Sequence, residues 1–178
     1  MRLHGVSDRM LAEIRDSLRR VNEREVAALE REIERSRSIF ITAAGRTLIL
    51  LRPFAMRLMQ YGFDSHVVGD TTTPRLGKGD LLLVASGRGN TPGVVRRAEE
   101  ARAAAGRVFS ITTSRESPLM KVTTAAIVIP APRDGSFQFG YVWFEQALFV
   151  LLESVAYRLA KRRKITLQKV MERHANLE

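Results

Sequence analysis

Residues 86–91 read Ser-Gly-Arg-Gly-Asn-Thr, and their types and spacing suit them to hold an anion. The hydroxyls of Ser86 and Thr91 flank Gly87 and Gly89, with Arg88 and Asn90 between them. The unbroken apolar run 81–85 leads in, and a helical pattern over 92–106 leads out. So short an apolar run predicts a strand buried on both faces of a parallel sheet. A glycine-rich turn entering a helix gathers free backbone N–H groups and the positive end of the helix dipole at one point. The expected guest is a phosphate. The turn lacks the third glycine of a dinucleotide fingerprint and the Gly-Lys-Ser/Thr of a Walker loop. On its own it also reads as a strand-to-helix turn with capping hydroxyls.

The rest of the chain supplies the frame. Met10, Leu11, Ile14, Leu18 and Val21 recur at helical spacing and predict a first helix over 6–21. Asn22 with Glu25 forms a capping pair that restarts a second helix to about residue 36. Strands are expected at 38–42, 66–68, 81–85, 108–112 and 126–129. Helices are expected at 53–61 (opened by Pro53 and stopped by Gly62), 92–106, 118–122, 139–161 and from Thr166 to about His174. Alternating strands and helices predict an α/β fold with a parallel sheet, whose ligands bind beyond the carboxyl ends of the strands. Turns at 45–47, 86–91 and 112–114 all lie at those ends and carry glycines or hydroxyls. Their convergence points to a phosphorylated small molecule.

Composition narrows the class. The chain has 178 residues, 45% of them hydrophobic, and no cysteine, so disulfides, thiolate catalysis and zinc–thiolate sites are excluded. No apolar run approaches the roughly 20 residues of a membrane span, and the N-terminal residues lack the apolar core of a secretory signal. A cytoplasmic location is expected. The net charge of +10 is spread over every element, with one short cluster at 161–164. Without a zinc finger, basic zipper or aromatic nucleic-acid motif beside it, this field suits an anionic small substrate better than a nucleic acid.

Ala44-Gly45-Arg46-Thr47, the segment 54–59, Val67-Val68-Gly69-Asp70-Thr71-Thr72-Thr73-Pro74, the segment 77–82, the turn 86–91 and the ending Arg173-His174-Ala175-Asn176-Leu177-Glu178 follow one another in order. Together they resemble the 6-phospho-3-hexuloisomerases of the sugar isomerase (SIS) domain group, over nearly the whole chain. The resemblance implies a flavodoxin-like SIS domain, with a five-stranded parallel sheet and helices on both faces. It places an N-terminal pair of helices (1–36) and the SIS domain (37–178) in one folding unit. It implies a homo-oligomer, a tetramer or dimer, and a phosphorylated sugar as substrate. It also implies interconversion of 3-hexulose 6-phosphate and fructose 6-phosphate, a step of the ribulose monophosphate pathway, with no metal or organic cofactor.

That reaction moves a carbonyl between adjacent carbons. It needs a base beside the carbonyl and an acid that protonates oxygen in an enediol intermediate. The resemblance gives the base to Glu145, in Trp143-Phe144-Glu145-Gln146, and proton shuttling to His174, in its own or a neighbouring subunit's pocket. Gly45, Arg46, Thr47, Ser86, Gly87, Arg88, Gly89, Asn90 and Thr91 then bind the phosphate and sugar. Glu145 also reads as a helix-start carboxylate and His174 as part of a loose terminus.

The chain departs from the family pattern near this site. Gly45-Arg46-Thr47-Leu48 stands for Gly-Arg-Ser-Gly, Leu51 for a glycine, and Arg88 and Asn90 for serine and glutamate, while Pro53 is expected to delay the following helix. Two functions compete on these grounds: a phosphosugar isomerase, or a non-catalytic SIS module that binds a sugar phosphate and regulates a partner.

Overall fold

A computed structural model describes residues 2–177. Five strands, β1 (Ile39–Thr42), β2 (Ser65–Val67), β3 (Leu81–Ala85), β4 (Arg107–Thr112) and β5 (Ala125–Val128), pair in parallel in the order β2-β1-β3-β4-β5. Every residue of β1 and β3 is buried, as the apolar runs 39–41 and 81–85 require, with the polar Thr42 buried at the end of β1. The edge strands β2 and β5 are mostly half-buried.

The period of two along each strand divides the core. Ile39, Ile41, Leu81, Leu83, Phe109 and Ile111 face α2 (Glu23–Arg35), α3 (Gly45–Gln60) and α6 (Val142–Arg162), with α1 (Leu3–Arg19) packed on α6. Phe40, Leu82, Val84 and Val108 face α4 (Pro92–Ala103) and α5 (Pro118–Val122). Helices therefore cover both faces, as the sequence predicts. The short α7 (Leu167–Glu172) follows α6 and touches α3. The chain leaves β1 toward β2 and returns on the other side of β1 to β3, so strand order reverses between β1 and β3. Their carboxyl ends form the crevice where ligands of such sheets bind.

Some local expectations are corrected. α3 begins at Gly45, and Pro53 lies inside it rather than at its start. Proline cannot donate to the carbonyl of Ile49, but Ile49 is exposed and water can serve that oxygen. α6 begins at Val142 rather than at Phe139, whose side chain is in solvent. Asn22 does cap α2, accepting the Arg24 N–H at 2.9 Å, but Glu25 does not reach back to it. The Glu25 carboxylate instead accepts the Val128 N–H at 3.0 Å, at the end of β5, and pairs with Arg115. α7 stops before His174.

A buried charge joins α2 to α6. The Glu30 side chain is 0% exposed, with Arg158 Nε 2.6 Å from Oε1 and Arg162 Nη2 2.5 Å from Oε2. The Arg158 contact is an ion pair out of line for a hydrogen bond, since Oε1 finds no aligned donor. Both arginines are nearly half exposed and can return to water, whereas Glu30 cannot. Arg158→Ala with Arg162→Ala is therefore expected to cost about 3–5 kcal/mol, the cost of an uncompensated buried charge. Glu30→Leu is expected to cost less than half of that. Urea unfolding of both variants checks the order, and an equal or inverted pair of losses would contradict it.

Candidate active site

Gly45 opens α3 with φ +54, a left-handed conformation that glycine adopts without strain. The next two side chains then face the start of α6. Arg46 Nε lies 3.0 Å from Glu145 Oε2, and Thr47 Oγ1 donates to Glu145 Oε1 at 3.5 Å. The Glu145 side chain is 12% exposed and that of Arg46 72%. One carboxylate thus sits at the crevice, largely buried and paired with a cation whose side chain is mostly in solvent.

The turn after β3 is fixed by its own backbone. Gly89 donates to the Ser86 carbonyl and to Ser86 Oγ, both at 3.1 Å, and Ser86 Oγ lies 3.3 Å from Thr91 Oγ1. Gly89 has φ +66, and a Cβ there would stand 2.3 Å from Ser117 Oγ, so only glycine fits. A Cβ on Gly87 would come within 2.6 Å of the Tyr141 ring. Thr91 caps α4 without bonding its amides, so the first-turn N–H groups there have no side-chain partner within the cap.

Ala44, Thr47, Ala85, Ser86, Gly87, Arg88, Asn90, Thr91 and Tyr141 line a cavity of about 250 Å³ between these pieces. The hydroxyls of Ser86 and Thr91, the N-terminus of α4 and the Arg88 guanidinium are groups that favour an anion. Glu145 lies one side chain behind the wall, bonded to Thr47. Of the residues singled out by sequence, Thr47, Ser86, Gly87, Arg88, Asn90 and Thr91 line this cavity directly. Gly45, Arg46 and Gly89 do not line it: Gly45 and Gly89 fix the turns beside it, and Arg46 pairs with Glu145.

The third expected turn plays a different part. Thr112 and Thr113 hydroxyls donate to the Gly87 carbonyl at 3.1 and 2.8 Å, and so brace the loop instead of facing the cavity. His174 does not join Glu145 within one chain. It is exposed, with Nδ1 3.0 Å from the Ala175 carbonyl, and borders a groove between α3 and α7 with Pro53, Met56 and Met171. Sequence reasoning missed Tyr141. Its ring packs on Gly87 and lies 5.5 Å from the Arg88 guanidinium. Its spacing of one helical turn before Glu145 was the available signal. Among the described residues no group of acidic or histidine side chains is placed to hold a metal.

Residues 32–149 match the SIS domain model. The chain belongs to the SIS family and, by its identity to the following relatives, to the 3-hexulose-6-phosphate isomerase branch of it. It is 42% identical over 172 residues to the 3-hexulose-6-phosphate isomerase of Mycobacterium gastri, covering 93% of this chain and 86% of that one. It is 33% identical to the Bacillus subtilis enzyme of the same name, covering 95% of each. A solved structure from Methanococcus jannaschii, from which a function as 3-hexulose-6-phosphate isomerase was inferred, superposes with a TM-score of 0.85. That likeness carries 29% identity and covers 97% of both chains. The protein is a phosphosugar isomerase.

Proposed function

We propose that this enzyme interconverts 3-hexulose 6-phosphate and fructose 6-phosphate in the cytoplasm, as a step of the ribulose monophosphate pathway, with Glu145 as the base. The observation that carries the assignment of the base is the placement of the Glu145 carboxylate directly behind Thr47, beside a cavity lined by the Ser86 and Thr91 hydroxyls and Arg88. Ser86, Thr91 and the amides of the turn and of α4 hold the phosphate, with Arg88 at the mouth. The sugar then extends toward Thr47 and Glu145. Arg46 exchanges its hold on Glu145 for a substrate oxygen, which uncovers the base.

The chemistry balances without a redox partner. Glu145 takes the proton from C2 of the 3-hexulose phosphate, and the electron pair of that C–H bond forms the C2=C3 enediol as the C3 oxygen gains a proton. The O2 proton then leaves as the C2 carbonyl forms, and C3 receives a proton back from Glu145. A second group must move protons at the oxygens, and we assign it to His174 of a neighbouring subunit, because one chain keeps its own His174 at the α3–α7 groove. Residues 1–36 complete the same folding unit as 37–178, since Leu29 and Ile33 of α2 share a core with Phe54 and Leu148. Among the described residues no helix is long and apolar enough to cross a membrane, in keeping with work on a water-soluble substrate.

Assembly follows from the same reading. Ile49, Met56, Leu167 and Met171 are exposed around the His174 groove, and Phe149, Val150 and Tyr157 are exposed along α6. Apolar helix faces of this kind suit isologous contacts between copies of the chain. A dimer or tetramer is expected by light scattering at micromolar concentration, and a monomer would rule out a His174 supplied by a neighbouring subunit. The catalytic assignment is tested by a coupled assay of fructose 6-phosphate formation from the 3-hexulose phosphate with the purified protein. Absence of turnover with sugar-phosphate binding retained would favour the regulatory binding module.

A further inference from the structure

We propose that Glu13, on α1 and outside the cavity, is a positioning residue for the isomerisation: by holding residues 136–138 it sets the start of α6, and with it Tyr141 and Glu145. The inference rests on the reading of Glu145 as the base.

The segment between β5 and α6 is long and has no regular structure of its own, and it leads into Tyr141, which lines the cavity, and Glu145, which stands behind its wall. Trp143 and Phe144 hold the first turn of α6 in the core, but its N-cap, Tyr141, makes no side-chain cap bond, so the loop residues before it depend on other anchors. The anchors come from one charged stripe of α1 whose members, Arg9, Glu13, Asp16 and Arg20, recur at helical spacing. Arg20 donates to the Ala131 carbonyl, and Asp16 accepts the Arg133 N–H at 3.0 Å. The Arg9 guanidinium lies 4.1 Å from the Phe137 ring centre. Glu13 makes the densest contact: it accepts from Ser136 Oγ at 2.7 Å, from the Phe137 N–H at 2.9 Å and from Gln138 Nε2 at 2.9 Å.

Gln138 passes this hold to the site. Its Nε2 also donates to Gln146 Oε1 at 3.1 Å, and Gln146 neighbours Glu145 on α6. A continuous set of hydrogen bonds therefore runs from α1 through the loop to the turn that carries the base. Burial pushes the Glu13 carboxyl up, but the donors of Gln138, Phe137 and Ser136, with the charge of Arg9, outweigh it and hold it below the usual carboxylate range. Glu13 is then ionised at neutral pH and accepts all three bonds. A solvated helix face would not need a carboxylate so fully used.

The test compares Glu13→Ala, Glu13→Gln and Gln138→Ala with the parent. It measures kcat and KM for the hexulose phosphate separately, and amide hydrogen exchange of the substrate-free protein. A displacement of about 1 Å at a reacting group can cost about a hundredfold in rate. Glu13→Ala is expected to lower kcat by about ten- to a hundredfold. KM should change less than kcat, because the turn 86–91 is built on β3 and α4 and, of the residues lining the cavity, only Tyr141 moves with the loop. Exchange should quicken over 136–146 and remain unchanged in β1 and β3. Gln138→Ala should act in the same direction with a smaller effect. Glu13→Gln, whose amide oxygen still accepts the Phe137 N–H, should recover most of kcat. Unchanged kcat in Glu13→Ala, faster exchange throughout the sheet, or no recovery in Glu13→Gln would each overturn the proposal. A parent that does not isomerise would sink the function instead, and exchange over 136–146 would still decide whether Glu13 holds the loop.

Discussion

Glu145→Gln is expected to bind fructose 6-phosphate nearly as the parent does and to lose isomerisation by at least about a hundredfold, the lower end of a general-base contribution. The amide keeps the size and the hydrogen-bonding shape that Thr47 meets at 3.5 Å, so the fold around it should persist. It also frees Arg46 from its charge partner at 3.0 Å, and a freed cation cannot weaken the binding of an anionic sugar. The loss should therefore fall on turnover and not on affinity, the signature of a group that acts in the transition state. The parent should exchange the hydrogen on the reacting carbon with solvent deuterium, and the variant should not. A parent that binds hexulose or hexose phosphates yet exchanges with none of them would be a binding module. Exchange that survives in Glu145→Gln would leave an isomerase with a different base.

Removing both hydroxyls of the anion turn should act in the opposite manner. Ser86→Ala with Thr91→Ala is expected to weaken sugar-phosphate binding by about 1–3 kcal/mol for each charged hydrogen bond lost. For two bonds that raises Kd by roughly thirtyfold or more. The turn should survive, because Gly89 N–H also bonds the Ser86 carbonyl at 3.1 Å and Thr113 N–H bonds the Gly87 carbonyl at 3.0 Å. Thermal unfolding should shift little, while calorimetry with fructose 6-phosphate shows the loss. Unchanged affinity would place the phosphate elsewhere. The two variants together separate the anchor from the chemistry, since one should alter Kd and the other kcat.

The departures from the family pattern take on definite roles once placed in the fold. Leu51, where a glycine is usual, is fully buried in the core shared by α2, α3 and α6, and Leu48 packs against the same core. They are packing residues on the inner side of α3. Arg88 and Tyr141 instead meet at the cavity, at 5.5 Å, where both line it.

The sequence by itself determined the parts that local chemistry controls. The unbroken apolar runs at 39–41 and 81–85 identify central parallel strands because such strands are buried on both faces. The glycines and hydroxyls of 86–91 identify the tight turn between β3 and α4 because backbone freedom is a property of a short segment. The order of segments from Ala44 to the ending 173–178, with the threonine loop 70–74 and that ending the most specific of them, was enough to identify the family despite the departures near Gly45 and Gly87.

Only the tertiary structure decided which distant groups meet. Arg46 and Glu145 are 99 residues apart, and their contact depends on how α3 and α6 pack on one face of the sheet. Tyr141 over Gly87, Glu25 on the end of β5 and Glu13 on the loop before α6 are contacts of the same kind. The position of Pro53 inside α3 was likewise hidden, because the helix there is held by Leu51, Phe54 and Leu58 in the core more strongly than one missing hydrogen bond disfavours it. Periodicity reports which face of an element is apolar. It carries no information on which polar groups of other elements will stand opposite, because packing between elements sets those distances.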